Sequence, residues 1–296
     1  MTEALTVENQ FKQNTLQAVH QLIEWKRYKE ALTEAEQALR EEPEDPDVFA
    51  LIAHIYNLMD NYEKALYWAN EALIREPEQT LAWYVRVSVY YETDNEKALN
   101  ENLQEAMRID PYEAHYFFLK ANLLNKKQKY KESRELLRLA LELRPESPLY
   151  LATLSYTEAL LGNMKESAEL DRQAVQYGAE MPYVMLYLGW AAGDRGDYKL
   201  KETYMKNAVR LSPDDKQIQS EFLEALQQQH KLLRIFLWPT RLVRRMKRWQ
   251  IIMAWFIIWI LFRPFVLLFI VLYVLTHWVT KAIVHVQVFG WRRRGM

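Results

Sequence analysis

Acid–base or metal chemistry in this chain would fall first to its six histidines, His20, His54, His115, His230, His277 and His285. None sits in HExxH or another ligand spacing, and the absence of cysteine rules out thiolate metal sites, disulfides and a thiol nucleophile. No GxSxG, P-loop or GxGxxG motif occurs, and seven glycines in 296 residues leave little material for a phosphate cradle. Paired carboxylates at Glu41-Glu42 and Asp214-Asp215 stand where helix ends are expected, so capping accounts for them. The residues predict no enzyme, no metal and no cofactor. What remains is recognition. Arg241, Arg244, Arg245 and Arg248 fall at i, i+3, i+4 and i+7, one basic stripe with Leu242, Met246 and Trp249 on another side. That pattern fits a helix lying on anionic lipid headgroups, and is preferred to nucleic-acid binding because hydrocarbon follows at once.

The net charge of −1 conceals two objects. From Phe236 onward there are ten Lys or Arg and no Asp or Glu, which leaves 28 basic against 39 acidic residues in the first 235. An acidic body is joined to a basic, apolar tail. Residues 237–250 read as the basic juxtamembrane helix, 251–279 as a membrane segment, and 280–296 as a basic tail. Between Ile251 and Val279 only Arg263 is charged, and these 29 residues exceed the ~20 needed to cross a bilayer as helix. Arg263-Pro264 divides the segment into two arms, Ile251 to Phe262 and Phe265 to Val279, each short of a full span. Two forms are open, a single kinked span or a shallow helical hairpin, and basic residues at both flanks favour the hairpin by the positive-inside rule. No secretory signal is visible in MTEALTVENQFKQ, and the body is expected at a membrane, facing the cytoplasm.

The body repeats itself. Pro46 to Gln79 contains two amphipathic helical patterns separated by Met59-Asp60-Asn61 and closed by Pro77. A constant step of 34 from Ala72 meets Ala38, Ala106, Ala140, Ala174 and Ala208 without a miss. The same step from Pro77 meets Pro43, Pro111, Pro145 and Pro213, with Ala179 the exception, and from Tyr62 it meets Tyr28, Tyr130 and Tyr198. Small residues where two helices cross and proline after the second define a helical-hairpin repeat. The expected organisation is a lead at 1–11, repeats at 12–45, 46–79, 80–113, 114–147, 148–181 and 182–215, and a capping helix at 216–236. Two irregularities are expected. In the third copy EKAL sits one position early, as if a residue were deleted. In the fifth, Glu158 replaces an apolar residue, and rotation of its helix is expected to spare it burial.

These residues resemble the tetratricopeptide repeat (TPR) family, whose period is also 34. The resemblance implies an all-α superhelical solenoid of six hairpins whose first helices line a concave groove. On that pattern position 9 of each copy gives His20, His54, Ser88, Asn122, Tyr156 and Trp190, and position 5 gives Leu16, Ala50, Tyr84, Phe118, Ala152 and Leu186. Position 12 adds Tyr91 and Asn125, and position 2 adds His115 and Tyr183. The implied peptide-binding set is Tyr84, Tyr91, Phe118, Asn122, Asn125, Tyr156, Tyr183 and Trp190, aromatics for contact area and amides for a bound backbone. Leu16 and His20 stand where the family's carboxylate clamp needs Lys and Asn, so an extended or helical guest with apolar anchors fits better. The expected function is a membrane-anchored adaptor for a protein or peptide ligand. The alternative is a structural or assembly subunit of an integral membrane complex, with Arg263 paired to a carboxylate of another subunit.

Overall fold

The computed structural model describes residues 16–229, 253, 256 and 263–289; among them every regular element is an α-helix. After α1 (16–24) the order is α2 Tyr28–Glu41, α3 Pro46–Leu58, α4 Tyr62–Arg75, α5 Thr80–Glu92, α6 Glu96–Ile109 and α7 Ala114–Lys126. It continues with α8 Tyr130–Leu143, α9 Pro148–Leu161, α10 Met164–Gly178, α11 Pro182–Arg195, α12 Tyr198–Leu211, α13 Lys216–Gln229 and α14 Arg263–Phe289. The chain forms two compact units, 1–127 and 128–296.

The turn inside each expected repeat is set by a backbone geometry that recurs once per copy. Positive φ occurs at Lys26, Asp60, Asp94, Gln128, Gly162 and Gly196, between +53° and +89°. Around Asp60 the Asn61 amide donates to the Tyr56 carbonyl (2.9 Å) and the Asp60 amide to Asn57 (3.1 Å). This double closure ends a first helix with one left-handed residue. The turn at Asp94 repeats it, with the Asn95 amide donating to Tyr90 (2.9 Å). The next helix starts at once. In α4 its first turn is capped by the Asn61 side chain, which accepts from the Lys64 amide (3.3 Å). The six alanines of the Ala72 column are all buried. At such crossings a methyl is what lets two helices approach closely, and a larger side chain would cost about 1–3 kcal/mol.

First and second helices are built differently. In the first unit α3 buries Val48 through Ala53, Ile55 and Tyr56, whereas α4 buries only the stripe Ala65, Ala69 and Ala72. The second unit repeats the contrast in α9 against α10. Charged residues therefore concentrate on the second helices, which have a face in water.

Both expected irregularities resolve differently from the sequence reading. The helix α6 begins at Glu96, in the register that Tyr62 holds at the start of α4, with no deletion. Leu99 takes the buried place of Ala65, and Asn95 caps α6 as Asn61 caps α4, accepting from the Ala98 amide (3.2 Å). The EKAL string slid; the helix did not. Nor does α9 rotate: Glu158 is fully buried and finds partners instead. Asn163 Nδ2 donates to its Oε2 (2.5 Å), and Arg138 reaches its Oε1 from α8 at 3.6 Å.

The helix after α12 is α13, Lys216–Gln229. Asp215 caps it, accepting from the amides of Gln217 (2.8 Å) and Ile218 (3.1 Å), and Ile218 and Ala225 are buried. Lys201 occupies the crossing position that Ala65 holds in α4, yet is buried, its stem beside Gly193. Its ammonium reaches Gln228 Oε1 (3.1 Å) and Glu224 (3.6 Å) on α13. The later arm of the apolar segment does not stop at Val279: α14 runs 27 residues to Phe289, about 40 Å at ~1.5 Å per residue. The expected basic helix at 237–250, with Arg241, Arg244, Arg245 and Arg248, and most of 251–262 lie outside the described residues.

Candidate functional site

The expected groove residues occupy two separate sets, one in each unit. In the first unit His54 on α3, Tyr84 on α5, and His115 and Phe118 on α7 make a continuous run of ring contacts. Centroids are 6.1 Å apart for His54–Tyr84, 4.9 Å for Tyr84–His115 and 5.7 Å for His115–Phe118. Ser88 Oγ lies 3.5 Å from His115 Nε2. Tyr84, Tyr91 and Asn125 are half-buried, while Phe118 and Asn122 lie beneath them at 4% and 5% exposure. Burial, with His20 as a second cause, holds the His54 imidazole below its usual pKa, so it is the neutral ring that joins this wall.

In the second unit Tyr156 on α9 meets Tyr187 and Trp190 on α11, at 6.3 and 5.6 Å between centroids, and Tyr187 stands edge-on to Trp190 at 5.1 Å. Tyr156, Tyr187 and Trp190 are half-buried; Tyr183 is exposed and donates its hydroxyl to Asp215 Oδ2 (3.0 Å). Tyr187 is absent from the sequence-derived set, although Tyr183, Tyr187 and Trp190 fall at i, i+4 and i+7, a stripe legible without a structure. The lining columns include His54 and His115, but the implied set does not.

Positions 5, 9 and 12 carry no charged residue in any of the six copies, whereas the second helices bear most of the charge. The arrangement can give large rigid apolar contact and hydrogen bonds to neutral groups, and these three positions offer no charge of their own. Among the described residues no group of three or more His, Cys, Asp or Glu is placed to hold a metal.

Behind the aromatic set of the second unit lies a buried polar network that periodicity did not announce. Arg195, at the end of α11, pairs with Asp171 of α10; their side chains are only 8% and 4% exposed. Ser155 of α9 donates to Asp171, and Arg195 donates to Ser167 Oγ (2.5 Å). Burial pushes the Asp171 carboxyl above its ordinary value, partly offset by Arg195 and Ser155. The network locks three helices of the second unit to each other.

Comparison with known proteins agrees with this architecture. Residues 22–87 and 114–147 match tetratricopeptide-repeat family models, so these stretches are tetratricopeptide repeats. Among solved structures the chain is similar to one in the APC/C hetero-tetramer Cut9–Hcn1, with 14% identity and a TM-score of 0.63 over 73% of this chain. It spans only 43% of that chain's length. PilF of Pseudomonas aeruginosa is 16% identical, TM-score 0.57, over 73% of this chain and 96% of its own. A tetratricopeptide repeat protein from Parabacteroides merdae is 15% identical, TM-score 0.55, over 72% and 84%. At such identities the likeness is one of fold. No curated protein matches the chain.

Proposed function

We propose that this chain is a membrane-anchored adaptor whose repeats, facing the cytoplasm, hold a protein or peptide segment of neutral, apolar-anchored character against their first helices. The observation that carries the reading is the absence of charge from positions 5, 9 and 12, together with the half-buried rings of Tyr84, Tyr156 and Trp190. Half-buried aromatics are held rigid by their neighbours and still present area, the character of an interface anchor. Tyr91, Asn125 and Tyr183 complete the contact surface, and Phe118 and Asn122 support it from below.

Support for the membrane comes from α14. Leu268, Phe269, Ile270, Val271 and Leu272 are exposed in succession, so the helix is apolar on every side with no protein covering it there. Among the described residues it is the one helix long and apolar enough to cross a membrane, over Leu268–Val286. Anionic lipid is the second partner, met by Arg241, Arg244, Arg245 and Arg248. Tethering confines the search for a guest to the bilayer surface and raises effective concentration.

The test is photo-crosslinking from Trp190 and Tyr84, each replaced by a photoreactive residue, with Thr33 on the outer face of α2 as control. Specific capture from the two wall positions, weakened from Trp190 by Tyr156→Ala and from Tyr84 by Tyr91→Ala, is the expected result. Capture equal to that from Thr33 would refute the wall as a binding surface. If a body truncated after residue 236 loses every partner that the full chain holds, the chain is a subunit of a membrane complex instead.

A further inference from the structure

The last repeat carries its charge differently from the others. In α12 the residues Lys199, Thr203, Lys206 and Arg210 are all exposed. At about 100° per residue they fall within about 60° of one another around the helix. That sector lies opposite the buried stripe Lys201, Met205 and Ala208, whose first two members stand against Gly193 and Gly189 of α11. The same four outward positions exist on every second helix, because the buried stripe keeps its register from α2 to α12. Wherever another of these quartets holds a Lys or Arg it also holds a glutamate: Glu36, Glu101, Glu135 or Glu169. The quartet of α12 has three basic residues and no acidic one. Ion pairs divide in the same way. Arg108, Arg138 and Arg172, outward on α6, α8 and α10, each pair with a glutamate of their own helix. Among the described residues the side chains of Lys199, Lys206 and Arg210 make no ion pair. Glu202 is the only carboxylate within α12, about 60° to one side of Lys199 and half-buried.

We infer that the outer face of α12 is a contact for anionic lipid, with Lys199, Lys206 and Arg210 meeting the headgroups; this rests on the membrane reading above. A solvated helix face in this protein mixes its signs, as the other quartets do, and gains from its own short pairs. A face of one sign without partners fits a surface of the other sign. Its place suits that partner, since α13 packs on both α12 and α14, so one helix separates the stripe from the apolar helix. Each Lys or Arg near an anionic bilayer strengthens attachment about fivefold, so three shift the ratio of docked to free body by about a hundredfold. The aromatic residues of α11 then stand one helix layer, about 10 Å, farther from the lipid, with Tyr183 on the side of α11 away from Gly189. Docking by this face leaves the wall of the second unit open to a guest.

The chain has no cysteine, so Thr203→Cys puts one fluorophore in the middle of the stripe without removing a charge. The labelled full-length chain is reconstituted into phosphatidylcholine vesicles, with or without phosphatidylserine, that carry an acceptor dye on a lipid headgroup. Energy transfer from residue 203 should rise with phosphatidylserine and fall back in high salt. In Lys199→Gln/Lys206→Gln/Arg210→Gln the docked-to-free ratio should drop about a hundredfold, and the rise with it. A label at Tyr183→Cys should report a longer distance to the headgroups than Thr203→Cys does. Three results overturn the contact while leaving the anchor standing, in vesicles that keep the chain through alkaline carbonate. They are equal transfer with and without phosphatidylserine, an undiminished rise in the triple variant, and transfer from residue 183 that matches or exceeds that from 203. Release of the chain by carbonate overturns the membrane reading itself, and this contact with it.

Discussion

Separating Asp171 from Arg195 should cost the second unit more than any other single polar change in it. The two side chains are 4% and 8% exposed, so water screens the pair very little. Removing one partner leaves a buried uncompensated charge, which costs about 3–5 kcal/mol, whereas removing both leaves none. Asp171→Asn strands the guanidinium, which cannot shed its proton. Arg195→Met strands a carboxyl that can take one up, so it should be the milder of the two at low pH. The sign follows from linkage. Burial already raises the Asp171 pKa above 3.8, and losing Arg195 removes an influence that lowers it. Between the unfolded and folded values the native state of Arg195→Met holds the extra proton, so its stability falls as pH rises through that window and is lowest above it. Thermal unfolding of the full-length chain in detergent, followed by circular dichroism, measures the cycle. At roughly 2–4 °C per kcal/mol, each single variant at neutral pH should lose about 10 °C, and Asp171→Asn/Arg195→Met should recover at least about 2 kcal/mol over their sum. Singles within about 0.5 kcal/mol of the parent, or a strictly additive double, would refute the reasoning.

Two glycines separate steric from backbone effects. A Cβ on Gly178 would stand 2.4 Å from Pro148 Cβ, in a ring that cannot yield, so Gly178→Ala should cost about 1–3 kcal/mol in urea titration. At Gly162, where φ is +89° and nothing lies within 4 Å, Gly162→Ala should cost only about 1 kcal/mol, the backbone penalty alone. His54 is held neutral below its ordinary value of 6.5, so the unfolded chain takes up the proton first, and stability falls as pH drops from 6.5 toward the folded value. His54→Gln should flatten that slope in midpoint measurements between about pH 5 and pH 7. Lys201→Met keeps the stem beside Gly193 but loses the contacts to Gln228 and Glu224; faster amide exchange confined to α13 is expected, and unchanged exchange would show that the ammonium does not hold the capping helix.

Periodicity carried the fold because each repeat reuses one backbone. Ala72 and its five equivalents are buried as a column should be, and the step of 34 also governs the positive φ angles, which the residue types conceal. Glycine marks the turn at 162 and 196, Asp60 and Asp94 are residues that tolerate the same conformation, and Lys26 and Gln128 hold it without that tolerance. Short strings mislead where the column does not. EKAL invited a deletion because Glu96-Lys97-Ala98-Leu99 matches residues 63–66, yet burial is decided by register, and Leu99 simply fills the place of Ala65. Glu158 misled through an energetic rule applied to one residue alone. Its cost is real and only partly offset: Asn163, just past the end of the same helix, bonds Oε2, while Arg138, on the preceding helix, stands 3.6 Å from Oε1, which has no hydrogen bond. No one-dimensional signal joins Arg138 to Glu158.

The same limit decides how far a binding wall can be read from columns. Tyr84 and Phe118 occupy one register position in successive copies, and the pattern assigns them one role. Yet Tyr84 is half-buried and Phe118 is 4% exposed, although His115 meets both rings, at 4.9 and 5.7 Å between centroids. A repeat fixes which way a side chain points; its neighbours one turn and one helix away fix how much of it a guest can touch. Absence of charge survives this filter better than aromatic identity does. A charged group at positions 5, 9 or 12 would stand against desolvated neighbours, where its burial is costly. Three columns without a charge in any copy therefore agree with the neutral, apolar-anchored guest proposed above.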